Sequence, residues 1–133
     1  TACFGSFVAT VCEVELRQGT PRVTHLWYAV DCGIAVHPSG VRAQIEGGAL
    51  FALSAALFGR ISVRDGAIIE GNFDRYRLLR LDEAPRISVE IIASSETPGG
   101  VGEVAVPTVA PAVANAWYSA TGKRPRRLPL LEA

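Results

Sequence analysis

The chain contains no methionine, only three cysteines, and no apolar run as long as a bilayer span. Each absence narrows the reading. Cys3, Cys12 and Cys32 are odd in number and show neither CxxC nor Cys/His ligand spacing, which sets aside a disulfide framework and a structural zinc site. They read as small apolar core residues. The most hydrophobic stretch, Ala49 to Phe58, is about half the length of a membrane-spanning helix. A GxSxG nucleophile elbow, a Walker-type phosphate loop and a GxGxxG fingerprint are all missing, as are internal repeats and low-complexity linkers. With no methionine at the first position and no visible signal peptide, the chain is expected to be a trimmed piece of something longer.

Net charge is missing too. Thirteen basic and thirteen acidic side chains cancel, which removes any overall electrostatic case for nucleic acid or an anionic membrane. The local basic cluster Lys123-Arg124-Pro125-Arg126-Arg127 follows an expected helix end and reads as solvated or as complementing the helix dipole.

What is present is a chain of 133 residues, 49% hydrophobic, with both period-2 and period-3.6 patterns. This is enough for a single domain over residues 1–133 with a real core. Phe7 to Leu16 and Arg22 to Asp31 read as strands, joined by the turn residues Gln18-Gly19-Thr20-Pro21 into an antiparallel hairpin. Asp31-Cys32-Gly33 reads first as a turn. Ser39 is the expected N-cap of a helix from about Gly40 to Phe58, whose core face carries Val41, Ile45, Ala49, Ala52, Leu53, Ala56 and Leu57. Within it Gly47-Gly48 costs about 1 kcal/mol per glycine relative to alanine, a cost tolerated where another backbone or a ligand comes close. His37 is expected to be structural or solvated rather than a ligand or base.

Asp65-Gly66 marks a second, short hairpin between Ile61-Ser62-Val63 and Ala67-Ile68-Ile69. Asn72 to Asp82 has no clear period and reads as an irregular crossing with snorkelling arginines, or as a pocket lining. Arg86 to Ala93 is a further strand. A last helix is expected near Pro107, capped by Thr108, with Pro111 in its first turn and Gly122 as its stop. The expected architecture is α+β: an antiparallel or mixed sheet with hairpins and two main helices.

The stretch Pro98-Gly99-Gly100-Val101-Gly102-Glu103 connects the last strand to that helix and ends in a carboxylate. Glycines leave room for a ligand, and loops held between rigid elements concentrate site residues. The N–H groups of Gly99 to Gly102 are candidates to hold an anionic or oxo group, and the Gln44 amide to pair with a heterocycle edge. As a turn, the same stretch has a purely structural reading.

Four segments carry a resemblance: Val41-Arg42-Ala43-Gln44-Ile45-Glu46-Gly47-Gly48, Leu79-Arg80-Leu81-Asp82-Glu83-Ala84-Pro85, Pro98 to Glu103, and Ala110-Pro111-Ala112-Val113-Ala114-Asn115-Ala116. In this order they resemble the C-terminal part of the molybdopterin-binding subunits of the xanthine dehydrogenase and aldehyde oxidase family. The nearest branch is that of the isoquinoline 1-oxidoreductase β subunit and related aldehyde dehydrogenases. The resemblance runs from Phe4-Gly5-Ser6 to Leu128-Pro129-Leu130.

It implies a molybdenum hydroxylase acting on an N-heterocycle or an aldehyde through a Mo-bound hydroxide. Glu103 would be the general base rather than a metal ligand, Gln44 would contact the pterin, and the backbone of Gly100, Val101 and Gly102 would pass near the metal. The implied cofactor is molybdopterin carrying Mo, with the cytosine dinucleotide form favoured and the form left open. Implied partners are an upstream Mo-subunit segment, an iron–sulfur subunit bearing [2Fe-2S] clusters, and a cytochrome c acceptor. Export to the periplasm is the location that near relatives suggest.

The chain departs from the family pattern in lacking the upstream cofactor-binding segments, and in carrying Val104-Ala105-Val106 where near relatives have a proline after the glutamate. Alone it is expected to be inactive. The competing expectation is a cofactor-free interaction or structural domain that retains the scaffold.

Overall fold

Gln18 and Gly19, at φ 52° and 81°, reverse the chain between two long antiparallel strands, β2 (Ser6–Arg17) and β3 (Thr20–Asp31). Two successive positive φ angles match the twist of the flanking strands, and glycine adopts the second without strain. The computed structural model describes residues 1–131. A two-residue strand β1 (Ala2–Cys3) pairs antiparallel with β2, and β6 (Arg86–Ile91) joins the far side of β3 in parallel, giving the order β1-β2-β3-β6. The sheet is therefore mixed. Between β3 and β6 lie α1 (Pro38–Phe58) and a separate short hairpin of β4 (Val63–Arg64) and β5 (Ala67–Ile68), turned at Asp65-Gly66 as expected. Then comes α2 (Val106–Thr121), ended by Gly122 in the left-handed conformation.

Strand register sorts the sheet into two faces. Val8–Val30–Ile91, Thr10–Tyr28–Val89 and Cys12–Leu26–Ile87 form rows turned inward, with Val8, Leu26, Tyr28, Val30 and Val89 buried. Both helices pack on that side, α2 against β2 and α1 against β6 and α2. The rows Ala9–Ala29–Glu90 and Val11–Trp27–Ser88 turn outward. All seven residues expected on the core face of α1 are buried, and Ile45, Ala49 and Leu53 are inaccessible to solvent. Burying one such Ile or Leu side chain contributes about 1.5–3 kcal/mol relative to leaving it exposed.

Several helix details differ from expectation. The N-cap of α1 is His37, whose Nδ1 accepts from Gly40 N–H at 3.0 Å, and not Ser39; Pro38 occupies the first turn, where its missing N–H costs nothing. Helix α2 starts at Val106 behind Ala105, so Thr108 is inside it and does not cap it. The Thr108 hydroxyl instead donates back to Ala105 O at 2.7 Å. Pro107 takes the early position that tolerates proline, which leaves Pro111 in the helix body rather than in the first turn. Helix α1, with 21 residues, is long and apolar enough to cross a membrane by length and composition alone, a test that a buried core helix also passes. Its apolar face is committed to the core of this domain, and Arg42 reaches across to donate to Val89 O.

The crossing segment is irregular, with a short 3-10 turn at Leu81–Glu83. Arg77 lies over the Phe58 ring, 3.6 Å from its centroid, and pairs with Glu83, which is the snorkelling arrangement.

Candidate functional site

After β6 the chain does not leave the sheet at once. Ile92 N–H donates to Val30 O at 2.8 Å, Ile34 N–H to Glu96 O at 3.0 Å, and Gly99 N–H to Cys32 O at 2.8 Å. The segment leading to Glu103 is thus laced along the exit of β3. Asp31 serves that exit as a turn former, its Oδ1 accepting from Gly33 N–H at 3.1 Å.

Gly99 and Gly100 then lie against the β1–β2 turn. Gly100 N–H donates to Phe4 O at 2.7 Å, and Ser6 Oγ donates to Gly100 O at 2.8 Å. A Cβ on Gly99 would sit 2.4 Å from Ser6 Oγ and 2.6 Å from Gly5 O. The close approach that these two glycines permit is of chain on chain. Since their N–H groups are already bonded, the expectation that Gly99 and Gly100 would offer donors to an anion is corrected; Val101 and Gly102 N–H take no partner among the described residues.

Glu103 is exposed, two residues ahead of the α2 N-cap. Its carbonyl accepts from Val106 N–H at 3.0 Å, and its carboxylate makes no hydrogen bond or ion pair among the described residues. It opens onto a cavity of about 500 Å³, with Gly102 beside it, Gly47 and Gly48 of α1 along one wall, and Phe4 and Phe51 at the rim. The two glycines of α1 have different neighbours. A Cβ on Gly48 would meet Ala105 Cβ at 3.5 Å and Val106 Cγ2 at 3.7 Å, ordinary contact distances, so Gly48 faces the start of α2 with room for a methyl group. A Cβ on Gly47 would meet nothing within 4 Å.

Gln44 is exposed one turn earlier on α1 and lines a smaller hollow of about 280 Å³ with Cys32, His37, Pro98 and Gly99. Its Nε2 lies 3.8 Å from where a Gly102 Cβ would stand. Gln44 and Glu103 therefore flank Gly102 from two sides and do not share one cavity. The crossing segment lines a different hollow, about 350 Å³, through Arg75 and Arg77 with Phe58 and Glu70. Ser62 N–H, bonded to the Glu70 carboxylate, holds that group below its ordinary pKa.

Beneath the start of α2, Thr10 Oγ1 donates to Thr108 Oγ1 at 2.7 Å, next to the buried Tyr28 hydroxyl. Burial raises the Tyr28 phenol above its ordinary pKa, against the pull of these hydroxyls, and burial followed by the Glu13 charge pushes the Cys12 thiol up to about 12. Sequence reasoning missed Cys3, Phe4, Ser6 and Phe51 as parts of this region. Phe4-Gly5-Ser6 entered the sequence reading only as the start of the resemblance, and the Ser6–Gly100 contact spans 94 residues and leaves no local signal.

The description "molybdopterin cofactor-binding domain" matches residues 1–85. The chain belongs to that family. This molybdopterin-binding domain is 37% identical over 128 residues to the isoquinoline 1-oxidoreductase subunit beta of Brevundimonas diminuta, covering 95% of the chain and 16% of the relative. It is also 37% identical over 125 residues to the membrane-bound aldehyde dehydrogenase [pyrroloquinoline-quinone] of Gluconacetobacter polyoxogenes, covering 92% of the chain and again 16% of the relative. The domain thus spans about a sixth of these relatives. Its fold matches the Cu,Mo-CO dehydrogenase in the carbon monoxide reduced state with a TM-score of 0.77 at 22% identity, over 88% of the chain and 16% of that structure's chain.

The residues suit a flat, hydrogen-bonding cofactor. Open helix backbone at Gly47, the Val101 and Gly102 N–H groups without a partner among the described residues, and the exposed Gln44 amide all lie around the same stretch. Among the described residues no three of His, Cys, Asp or Glu come together as direct metal ligands.

Proposed function

We propose that this domain contributes the general base and one wall of the cofactor cradle to a molybdenum hydroxylase that oxidises an aldehyde or hydroxylates an N-heterocycle. When bound, the molybdenum cofactor supplies the two-electron acceptor for an oxidation in which a water-derived oxygen is added to the substrate carbon. A Glu103 carboxylate oxygen takes the proton of that attacking oxygen, which requires hydrogen-bond reach and a carboxylate uncommitted to other partners. Gln44 presents its amide to the edge of the pterin, and Val101 and Gly102 turn backbone N–H groups toward the cofactor. Gly100 contributes by holding this stretch on the first hairpin. The cytosine dinucleotide form of the pterin, an upstream Mo-subunit segment, an iron–sulfur subunit with [2Fe-2S] clusters and a cytochrome c acceptor complete the proposed assembly, and the chain alone is inactive.

The observation that carries this reading is the pairing of Glu103 and Gly47 across one open cavity. A cofactor-free interaction domain explains Gly99 and Gly100, where a Cβ would strike or crowd the first turn of the chain, and it tolerates either glycine or alanine at Gly48. It leaves Gly47 unexplained: a helix-interior glycine costs about 1 kcal/mol relative to alanine, and here no protein atom needs the space.

The protein purified with its natural partners is expected to carry molybdenum and pterin. Glu103→Gln should retain both and the folded state while turnover falls by about 10²–10⁴-fold, the usual contribution of a general base. Absence of molybdenum and pterin from the wild-type assembly overturns the reading; full activity in Glu103→Gln overturns the assignment of the base.

A further inference from the structure

The outward face of the four-stranded sheet has an apolar centre that no element among the described residues covers. Phe7 and Val11 of β2 are 62% and 63% exposed, and Trp27 of β3 is 37% exposed and stacked on His25 with ring centroids 3.7 Å apart. Between them Ala9 and Ala29 pair across the strands and floor a hollow of about 390 Å³. Both helices lie on the opposite face. One edge of the hollow is acidic: Glu90 stands in the Ala9–Ala29 row, and Asp31 faces Phe7 in the next.

We infer that this face seats an apolar segment bearing a lysine or arginine, contributed by the further polypeptide of the molybdenum subunit. The inference rests on the proposed reading of the chain as one part of such a subunit. Three observations select that occupant. The relatives carry this domain as about a sixth of their length, so most of their chain lies outside it. The apolar centre spans roughly 13 Å along β2 and 10 Å across the strands at ordinary sheet spacings, far less than the ~800 Å² per partner of a stable standard-size interface, which disfavours a second copy held by this face alone. The Glu90 and Asp31 carboxylates at its edge complement a basic side chain and not an acidic one.

Trp27 reports on the face. With Trp117→Phe it becomes the only tryptophan of the chain. In the protein purified from its own cells with its natural assembly, acrylamide quenching of Trp27 is expected to fall severalfold relative to the recombinant chain alone, and a zero-length carbodiimide is expected to link Glu90 or Asp31 to a lysine of a molybdenum-subunit segment. Val11→Lys should weaken assembly by about tenfold or more, the scale for a central interface residue, with the melting temperature of the isolated chain unchanged. Equal quenching in the assembly and the isolated chain overturns the inference. So does shielding of Trp27 in the isolated chain together with a dimer mass in sedimentation, which would make a second copy the occupant. Molybdenum with a fully quenchable Trp27 removes this inference and leaves the proposed function; a shielded Trp27 with a cross-link at Glu90 or Asp31 in a molybdenum-free assembly does the reverse.

Discussion

Ser6 Oγ donates to the carbonyl of Gly100 at 2.8 Å, tying the second strand to the loop that presents Glu103. Ser6 is 1% exposed, and its hydroxyl stands where a Cβ on Gly99 would have to go. The position of the carboxylate is therefore set by a contact at the other end of the sequence.

Ser6→Ala removes one hydrogen bond and should cost about 0.5–1.5 kcal/mol. Gly99→Ala forces the loop off the first hairpin, at a cost of about 1–3 kcal/mol for overpacking. The two changes are in contact and should not add. Because Ser6→Ala removes one of the atoms that Gly99→Ala strikes, the double variant is expected to be more stable than the sum of the single effects predicts. Urea denaturation of the four proteins measures the coupling, and strict additivity would count against the contact.

The strands, the short hairpin and the buried stripe of α1 were legible because each is written in local periodicity: alternation in β2 and β3, and the 3–4 spacing from Val41 to Leu57. The parallel pairing of β6 with β3 was not, since alternation in Arg86 to Ile91 marks a strand without naming its neighbour. Helix starts were legible to within two residues, and their chemistry was misassigned where prolines moved the boundary ahead of the expected Ser and Thr caps. At the site, the motif Pro98 to Glu103 was legible as a unit. Which of its N–H groups are free was not, because that depends on Phe4 and Cys32, both distant in sequence.

The cap of α1 distinguishes two residues that sequence reasoning ranked the other way. His37→Ala removes the acceptor for Gly40 N–H and should cost about 0.5–2 kcal/mol. His37→Asp retains an acceptor at that position and should recover most of the loss, while Ser39→Ala should be nearly neutral. Thermal melts of the three variants check the order, and a larger loss at Ser39 than at His37 would refute it.

Alkaline pH should destabilise the fold through Cys12. Below pH 9, near the ordinary thiol value, folded and unfolded chains both hold the proton and stability is flat. Between there and about 12 the unfolded chain releases the proton while the folded chain keeps it, so stability falls as pH rises. Tyr28, raised from 10, adds a decline in the same direction at higher pH. In Cys12→Val the fall should begin later and be shallower. Denaturation midpoints measured from pH 8 to 11 test this, and identical slopes for the two proteins would rule Cys12 out as the source.

Gly47 separates the two readings of the domain most cleanly. A Cβ there meets no atom within 4 Å, and the residue lies well inside α1. Gly47→Ala should therefore stabilise the isolated domain by about 0.5–1 kcal/mol, since alanine restricts the unfolded chain and is the better helix former. If the open backbone is kept for a cofactor, the same substitution places a methyl group against that cofactor, and the assembled protein should lose pterin and molybdenum while its domain melts higher. A cofactor-free scaffold predicts the gain in stability without any loss. Metal and pterin content measured beside the melting temperature therefore decide between the readings, because the two effects of one methyl group run in opposite directions only if a ligand occupies the space over Gly47.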